Sequence, residues 1–141
     1  MIHTFVLPCL LDPAFNAWVE SSVALIVQYG DAFHADDPEG CAHDAAYLCM
    51  IADHLWREQG DREPSWARLD VEAVLAELAP PEGPRAIVSL LIAFVTFLCQ
   101  RSVLGPMQTV KLLNDLERVG GAHGDRAAVE PRRRWAKMAQ A

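Results

Sequence analysis

The sequence predicts an all-α fold: a compact bundle of about five helices, with a central apolar helix near residues 84–102 and a basic C-terminal tail. Proline and glycine divide the chain into segments whose apolar residues recur at helical spacing, and no series of alternating runs indicates a sheet. The 141 residues are 52% apolar and 22% charged, which suits one globular domain. We therefore expect a helical domain over residues 1–121 and a tail, or one short docked helix, over residues 122–141.

The first helix is predicted by its start and stop signals. Asp12 is a favourable N-cap, Pro13 suits the first helical position, and Gly30 marks the expected end. Between these positions the apolar residues recur at helical spacing, which predicts the face that packs in the core. That face comprises Phe15, Trp18, Val19, Val23 and Ile26.

The second helix has the most regular pattern in the chain. The same start signal occurs at Asp37 and Pro38, and the segment runs to Gly60. Apolar residues at offsets 0, 4, 7, 11 and 14 predict a packed seam along one side of this helix. The seam comprises Cys41, Ala45, Leu48, Ala52 and Leu55.

A second stripe lies nearly opposite this seam on the same helix. Two opposed stripes indicate a second contact surface, a helix that its own domain covers on both sides, or an exposed polar face. Histidine, tyrosine and methionine suit an amphipathic contact surface, so we predict that this stripe binds a partner. Its residues are His43, Tyr47, Met50 and His54.

The third and fourth helices are bounded by prolines. The third begins near Ser65 or Asp70 and ends at Pro80, and the fourth begins near Pro84 and ends at about Ser102. Apolar residues occur on nearly every side of the fourth helix, which predicts that it lies in the middle of the fold. The predicted core residues of the third helix are Val71, Val74, Leu75 and Leu78.

The fifth helix follows a turn at Gly105 and Pro106 and ends at Gly120 and Gly121. Its apolar residues predict one inward face, and its other faces are polar and charged. The residues expected to point inward are Met107, Val110, Leu113 and Leu116.

Three short motifs occur between residues 51 and 106. They are D-V-E at residues 70–72, L-x-x-L-x-P at residues 75–80, and A-F-x-x-F-L at residues 93–98. With these motifs the stretch resembles an uncharacterised all-helical domain of bacterial proteins. The resemblance implies a helical fold in a bacterial protein and implies no activity.

Metal-ligating residue types are concentrated between residues 34 and 54. On one helix Cys41 and His43 point about 200° apart, and Cys49 lies about 12 Å from Cys41 along the axis, so these three cannot share an ion. His34 with an aspartate of the following loop reaches Cys41 or His43 only if the second helix starts late. We therefore predict no metal and no cofactor. The residues weighed are His34, Asp36, Asp37, Cys41, His43, Asp44, Cys49 and His54.

No catalytic motif is found in the sequence. Nucleophile-elbow, metalloprotease and phosphate-binding patterns are missing, and the adjacent Asp53 and His54 point about 100° apart on a helix. The four cysteines are too few and too widely spaced for a secreted disulfide scaffold, which predicts reduced, buried thiols. We therefore predict a protein that is not an enzyme.

Charge is distributed unevenly along the chain, whose net charge is −7. Residues 1–56 contain eight acidic residues and no Lys or Arg, whereas residues 122–141 contain five basic and two acidic residues. The acidic balance argues against a main role in binding nucleic acid. Arginine and tryptophan are favoured interface anchors, so the tail supplies the second half of the predicted partner-binding site. Those residues are Arg132, Arg133, Arg134 and Trp135.

These observations predict a non-enzymatic interaction or regulatory protein that docks a protein partner through charged and aromatic surfaces. Self-association through the oppositely charged ends is equally compatible with the sequence. The alternative is a nucleic-acid-associated accessory subunit that uses its basic tail, or an acidic inhibitor of a nucleic-acid-binding complex. The longest apolar run has 14 residues and the first ten lack a basic region, so we expect a cytoplasmic protein that does not enter the membrane.

Overall fold

The computed structural model describes residues 12–59, 64–78 and 83–122. Within these residues the chain is all-α, which confirms the predicted fold class, and it contains five α-helices, one short 3-10 helix and no strand. The predicted tail, with Arg132, Arg133, Arg134 and Trp135, lies outside the described residues. The helices are α1 (Pro13–Phe33), α2 (Pro38–Glu58), the 3-10 helix (Trp66–Arg68), α3 (Val71–Leu78), α4 (Arg85–Gln100) and α5 (Pro106–Ala122).

The chain is organised as two compact units, one ending at Pro64 and one starting at Ser65. The first unit contains α1 and α2, which form an antiparallel hairpin. Near the open end of this hairpin the rings of Phe15 and Trp56 lie 5.2 Å apart, edge to face. Between the helices the Trp18 indole Nε1 donates a hydrogen bond of 2.9 Å to the Ala52 carbonyl. Aromatic packing and one long-range hydrogen bond therefore hold the two helices together.

Helix α1 begins as predicted but is longer than expected. Asp12 Oδ1 accepts hydrogen bonds of 3.1 Å from the backbone amides of the first turn, which is the expected N-cap. The helix continues past Gly30 to Phe33. Gly30 does not end the helix but is buried where α2 approaches: a Cβ at this position would lie 2.7 Å from Cys41 Sγ. Close packing therefore outweighs the roughly 1 kcal/mol that glycine costs inside a helix.

Helix α2 starts and ends where the sequence predicts. The Asp37 side chain accepts a hydrogen bond from the Gly40 amide, and Gln59 closes the last turn on the Leu55 carbonyl. In the predicted seam Leu48, Ala52 and Leu55 are buried, whereas its first two members are half-buried. The buried residues of α2 are Leu48, Ile51, Ala52, His54 and Leu55.

The second unit uses both starts that the sequence offers for its first segment. Ser65 Oγ accepts from the Ala67 amide and begins the 3-10 helix, whereas Asp70 Oδ1 accepts from the Ala73 amide and begins α3. Three of the four predicted core residues of α3 are buried, and Leu78 is half-buried. The two alternative starts therefore belong to two separate helices.

Helix α4 is the most buried element of the described chain. Every residue from 87 to 98 is buried except the half-buried Ser89, as the apolar pattern predicts. Phe94 packs edge to face on Trp66 with 5.0 Å between ring centroids, and Thr96 Oγ1 donates to the carbonyl of Ile92, so its hydroxyl is satisfied within the helix. Within the described residues, none of the helices combines the length and apolar character needed to cross a membrane.

The predicted inward face of α5 is wrong for its first two residues, whereas Leu113 is half-buried and Leu116 is buried as predicted. Met107 is 83% exposed and Val110 is 55% exposed, whereas Leu116 is fully buried. The predicted residues follow one another at intervals of three, and such a row drifts by about 60° per step around an α-helix, so it cannot stay on one face. The buried face is instead Thr109, Leu112, Leu116 and Val119.

Candidate functional site

The predicted partner-binding stripe of α2 is split between the surface and the interior. The His43 side chain is 59% exposed and Met50 is 45% exposed. Tyr47 is half-buried and stacks at an angle on His43, with 5.0 Å between ring centroids, whereas His54 is only 3% exposed. The stripe therefore offers His43 and Met50 at the surface, and burial withdraws His54 from it. Partner binding by these residues stays a prediction.

A polar cluster lies where α1 turns into α2. His34 Nε2 lies 2.6 Å from Asp44 Oδ2, and the Tyr29 hydroxyl also hydrogen bonds to the Asp44 side chain. Burial, together with the negative charge of Asp44, raises the pKa of Tyr29 well above its ordinary range. Asp44 belongs to α2, and its carboxylate therefore contacts Tyr29 in α1 and His34, the residue that follows α1.

This polar cluster joins the end of α1 to the start of α2. The second ring nitrogen of His34 lies 3.8 Å from the Asp37 carboxylate, so both nitrogens face acidic groups and neither is directed at the nearby Cys41. Within residues 12–59, 64–78 and 83–122, no three His, Cys, Asp or Glu side chains converge in a way that could hold a metal ion. The sequence pattern offers Cys41 or His43 as a neighbour of His34; the structure pairs it with Asp44.

The predicted burial of the cysteines is wrong for the three that the structure describes. Cys41 and Cys99 are half-buried free thiols, but Cys49 is exposed on α2. Cys49 comes directly after the seam residue Leu48 in the sequence. It lies at the edge of a groove between α1 and α2. Cys9 lies outside the described residues.

The apolar groove between α1 and α2, here called the hairpin groove, encloses about 90 Å³. Pockets that bind drug-sized molecules usually enclose about 300 Å³ or more. The hairpin groove is therefore sized for one side chain of a binding partner rather than for a cofactor. It is lined by Phe15, Trp18, Val19, Ser22, Val23, Ile26, Cys49, Ala52 and Asp53.

Three valines run along α1 beside this groove, at intervals of four residues. Val19 is 39% exposed, Val23 is 45% exposed and Val27 is 55% exposed. Residues four apart on an α-helix are neighbours on one face, so they form a continuous exposed apolar row, here called the valine row. The apolar pattern predicts Val19 and Val23 as core residues, and the structure corrects this: α2 covers only one flank of the predicted face.

One polar atom is buried in the lining of the hairpin groove. Ser22 is 2% exposed, and its Oγ has no hydrogen-bond partner among the described residues. A buried hydroxyl without a partner costs about 1–3 kcal/mol, so an unsatisfied hydroxyl in a native structure needs an explanation. Sequence analysis missed Ser22 because a serine inside an apolar helical stripe gives no signal of its own.

A larger, polar cleft lies in the second unit between the start of α3 and α5. It encloses about 380 Å³ and carries three basic and three acidic side chains, so its charges do not favour a ligand of either sign. Arg118 lies 2.9 Å from the Glu72 carboxylate and 3.8 Å from that of Asp115, and the hydrogen bond to Glu72 raises the pKa of Arg118. The guanidinium of Arg118 is therefore already paired with carboxylates of the protein itself.

Comparison with protein-family models, with curated proteins and with solved structures gives no significant match.

Proposed function

We propose that this chain is a non-enzymatic interaction protein that docks a basic, amphipathic segment of a protein partner on its α1–α2 hairpin. The observation that carries this proposal is the valine row, three large apolar side chains that are 39–55% exposed beside an apolar groove. Contiguous exposed apolar surface on a folded protein marks binding sites more often than scattered single residues do. The hairpin therefore offers the main docking surface.

Charge selects the class of partner. Between residues 12 and 56 the chain carries eight acidic residues and no Lys or Arg, and Asp53 lines the groove itself. Asp53 is paired with Arg57 through one carboxylate oxygen at 2.9 Å, which leaves its other oxygen for a second cation. A partner segment with an apolar face flanked by basic residues complements this acidic surface. Complementary charges speed the association of two proteins and fix the orientation in which they bind.

The shape of the hairpin suits a helical or extended segment. Helix-in-groove recognition uses apolar anchors at helical spacing that enter a groove between two helices. The hairpin groove has room for one such anchor, and the valine row extends the contact along α1. Regulation of the partner by masking its basic segment is the role that fits a protein of this kind.

The proposal is tested with two labelled model peptides and the full-length protein. An amphipathic peptide of Leu and Lys should bind with saturation in fluorescence anisotropy, and a Leu and Glu peptide of equal length should bind at least about tenfold more weakly. Val23→Asp should weaken binding of the Leu/Lys peptide by about tenfold or more, because it places a desolvated charge in the apolar contact.

The matched control is Val110→Asp on α5. Val110 is 55% exposed and lies in the other unit, so this variant adds the same charge at an unrelated exposed valine. It should bind the Leu/Lys peptide as the native protein does. Equal losses in the two variants would show that the loss does not depend on the valine row, and the hairpin would not be the docking surface.

A further inference from the structure

The hairpin groove contains one buried polar group that a purely apolar anchor would leave without a hydrogen bond. Ser22 Oγ is buried in its lining amid apolar side chains, with no hydrogen-bond partner in the part of the chain that the structure describes. A serine hydroxyl both donates and accepts hydrogen bonds, so an anchor that carries one polar hydrogen would satisfy it. Among large apolar side chains only tryptophan and tyrosine combine ring size with such a group.

The chain itself contains a segment with the required chemistry. Residues 131–138 read PRRRWAKM, in which three arginines precede a tryptophan and a lysine follows two positions later. The indole N–H can donate to Ser22 Oγ, and the flanking cations complement the acidic stretch from residue 12 to residue 56. No other part of the sequence places an indole within a run of basic residues.

We infer that the hairpin groove binds the C-terminal segment of a second copy of this chain, with Trp135 as the anchor beside Ser22. This inference rests on the proposed function and names the occupant of the same surface. Groove and segment are different patches, so the contact is heterologous and joins copies head to tail in a ring or an open chain. Arg132, Arg133 and Arg134 supply charge, and the valine row supplies apolar area.

The experiment is a complementation between two full-length variants, followed by analytical ultracentrifugation. The native protein should self-associate as its concentration rises and should dissociate at high salt. Val23→Asp spoils the groove and leaves the segment intact; the triple change Arg132→Glu, Arg133→Glu, Arg134→Glu spoils the segment and leaves the groove intact. Each variant alone should be monomeric, and an equimolar mixture should form a 1:1 complex.

A second measurement tests the contact between Trp135 and Ser22. A labelled peptide of residues 126–141 is titrated with the triple-arginine variant, whose own segment no longer competes. Adding Ser22→Ala to that variant should weaken binding about fivefold to tenfold, the loss of one hydrogen bond, while a peptide with Trp135→Phe should bind equally well with and without the serine change. Circular dichroism should show unchanged helicity in every variant, so a loss of binding is not a loss of fold.

Three outcomes would overturn the inference. A native protein that is monomeric at all concentrations excludes the second copy. A triple-arginine variant that still dimerises indicates contact between two valine rows instead. A mixture that forms no 1:1 complex, while the Leu/Lys peptide still binds the native hairpin and not the Val23→Asp variant, leaves the proposed function standing and removes only the C-terminal segment as its occupant.

Discussion

Helices α1 and α4 are both rich in valine and other large apolar residues, yet they have opposite fates. Helix α4 buries all but one of the residues from 87 to 98, whereas α1 leaves three valines 39–55% exposed. Apolar composition alone therefore does not decide burial. The neighbours do: α4 has apolar residues on every side and is covered on every side, but α1 has one face against α2 and a second apolar face with no cover among the described residues.

This difference separates stability from binding. Residues of α4 make the core of their unit, and changes there should act on the free energy of unfolding. The exposed row of α1 contributes less to that free energy than α4 does, because its side chains keep 39–55% of their water-accessible area in the folded protein. Contiguous exposed apolar surface marks interaction sites, which is the role proposed for the valine row.

The largest expected effect comes from truncating a ring in α4. Phe94→Ala should lower the free energy of unfolding by about 3–5 kcal/mol, since Phe94 is fully buried between Trp66 and Phe97 and its loss leaves a cavity. Val23→Ala in α1 should stay within about 0.5 kcal/mol of the native value. Urea unfolding followed by circular dichroism measures both.

Two further variants keep this comparison informative. If Phe94→Ala does not fold, Phe94→Leu should still fold and cost less, because it retains most of the apolar volume. Met107→Ala, at the most exposed large apolar residue of the described ranges, should behave like Val23→Ala. A large destabilisation by Val23→Ala would mean that the valine row belongs to the core, and the distinction between the two helices would fail.

The helices of the fold could be predicted from the sequence because local residues, namely side-chain caps and prolines, determine where the helices begin. Asp12, Asp37 and Asp70 each cap a helix through their own side chains, and proline follows the first two caps directly. Burial is less predictable, since it depends on which neighbour covers a given face. This explains the errors at Val23 and Met107, where apolar residues at helical spacing lie outside the core.

The intermediate effect concerns the point where α1 is packed tightly against α2. Gly30→Ala should gain about 1 kcal/mol of helix propensity but place a methyl group about 2.7 Å from Cys41 Sγ, so the change should cost about 1–2 kcal/mol net. In a Cys41→Ala background the obstacle is gone, and the same change should stabilise by about 1 kcal/mol. A double-mutant cycle in urea measures this reversal of sign.

The same cycle distinguishes packing from backbone conformation. Gly30 lies inside α1, so its backbone accepts any residue, and only the approach of Cys41 demands glycine. If Gly30→Ala destabilises equally in both backgrounds, some contact other than Cys41 restricts the site. If it stabilises in both, the thiol rotates away at little cost and the two helices are less closely held than the distance indicates.

The candidate site could be predicted only in part. Its acidic charge and the exposure of His43 and Met50 follow from the sequence pattern, but the groove does not. Its lining combines residues from two helices, and its buried polar atom is a single serine in an apolar stripe. The pairing of His34 with Asp44 is likewise hidden in the sequence, because it depends on how the turn between α1 and α2 brings the chain back.

The smallest effect is a dependence on pH at the buried end of α1. The pKa of Tyr29 is raised in the folded protein, chiefly by burial and then by Asp44, so above pH of about 10 the unfolded chain loses a proton that the folded chain keeps. The unfolded state then binds fewer protons, and stability falls as pH rises, by about 1.4 kcal/mol per pH unit from this one group. The stabilising contribution of Tyr29 is complete below pH of about 10 and is lost above it.

Tyr29→Phe isolates this effect, because phenylalanine fills the same space and cannot ionise. At pH of about 8 it should cost about 1 kcal/mol, the value of the hydrogen bond to Asp44, and by about pH 11 the native protein should have lost this advantage. Urea unfolding at several values between about pH 8 and about pH 11 follows the gap between the two proteins. A gap that stays constant over this range would mean that the Tyr29 hydroxyl reaches solvent, and the turn end of α1 would then be as open as its valine row rather than closed like α4.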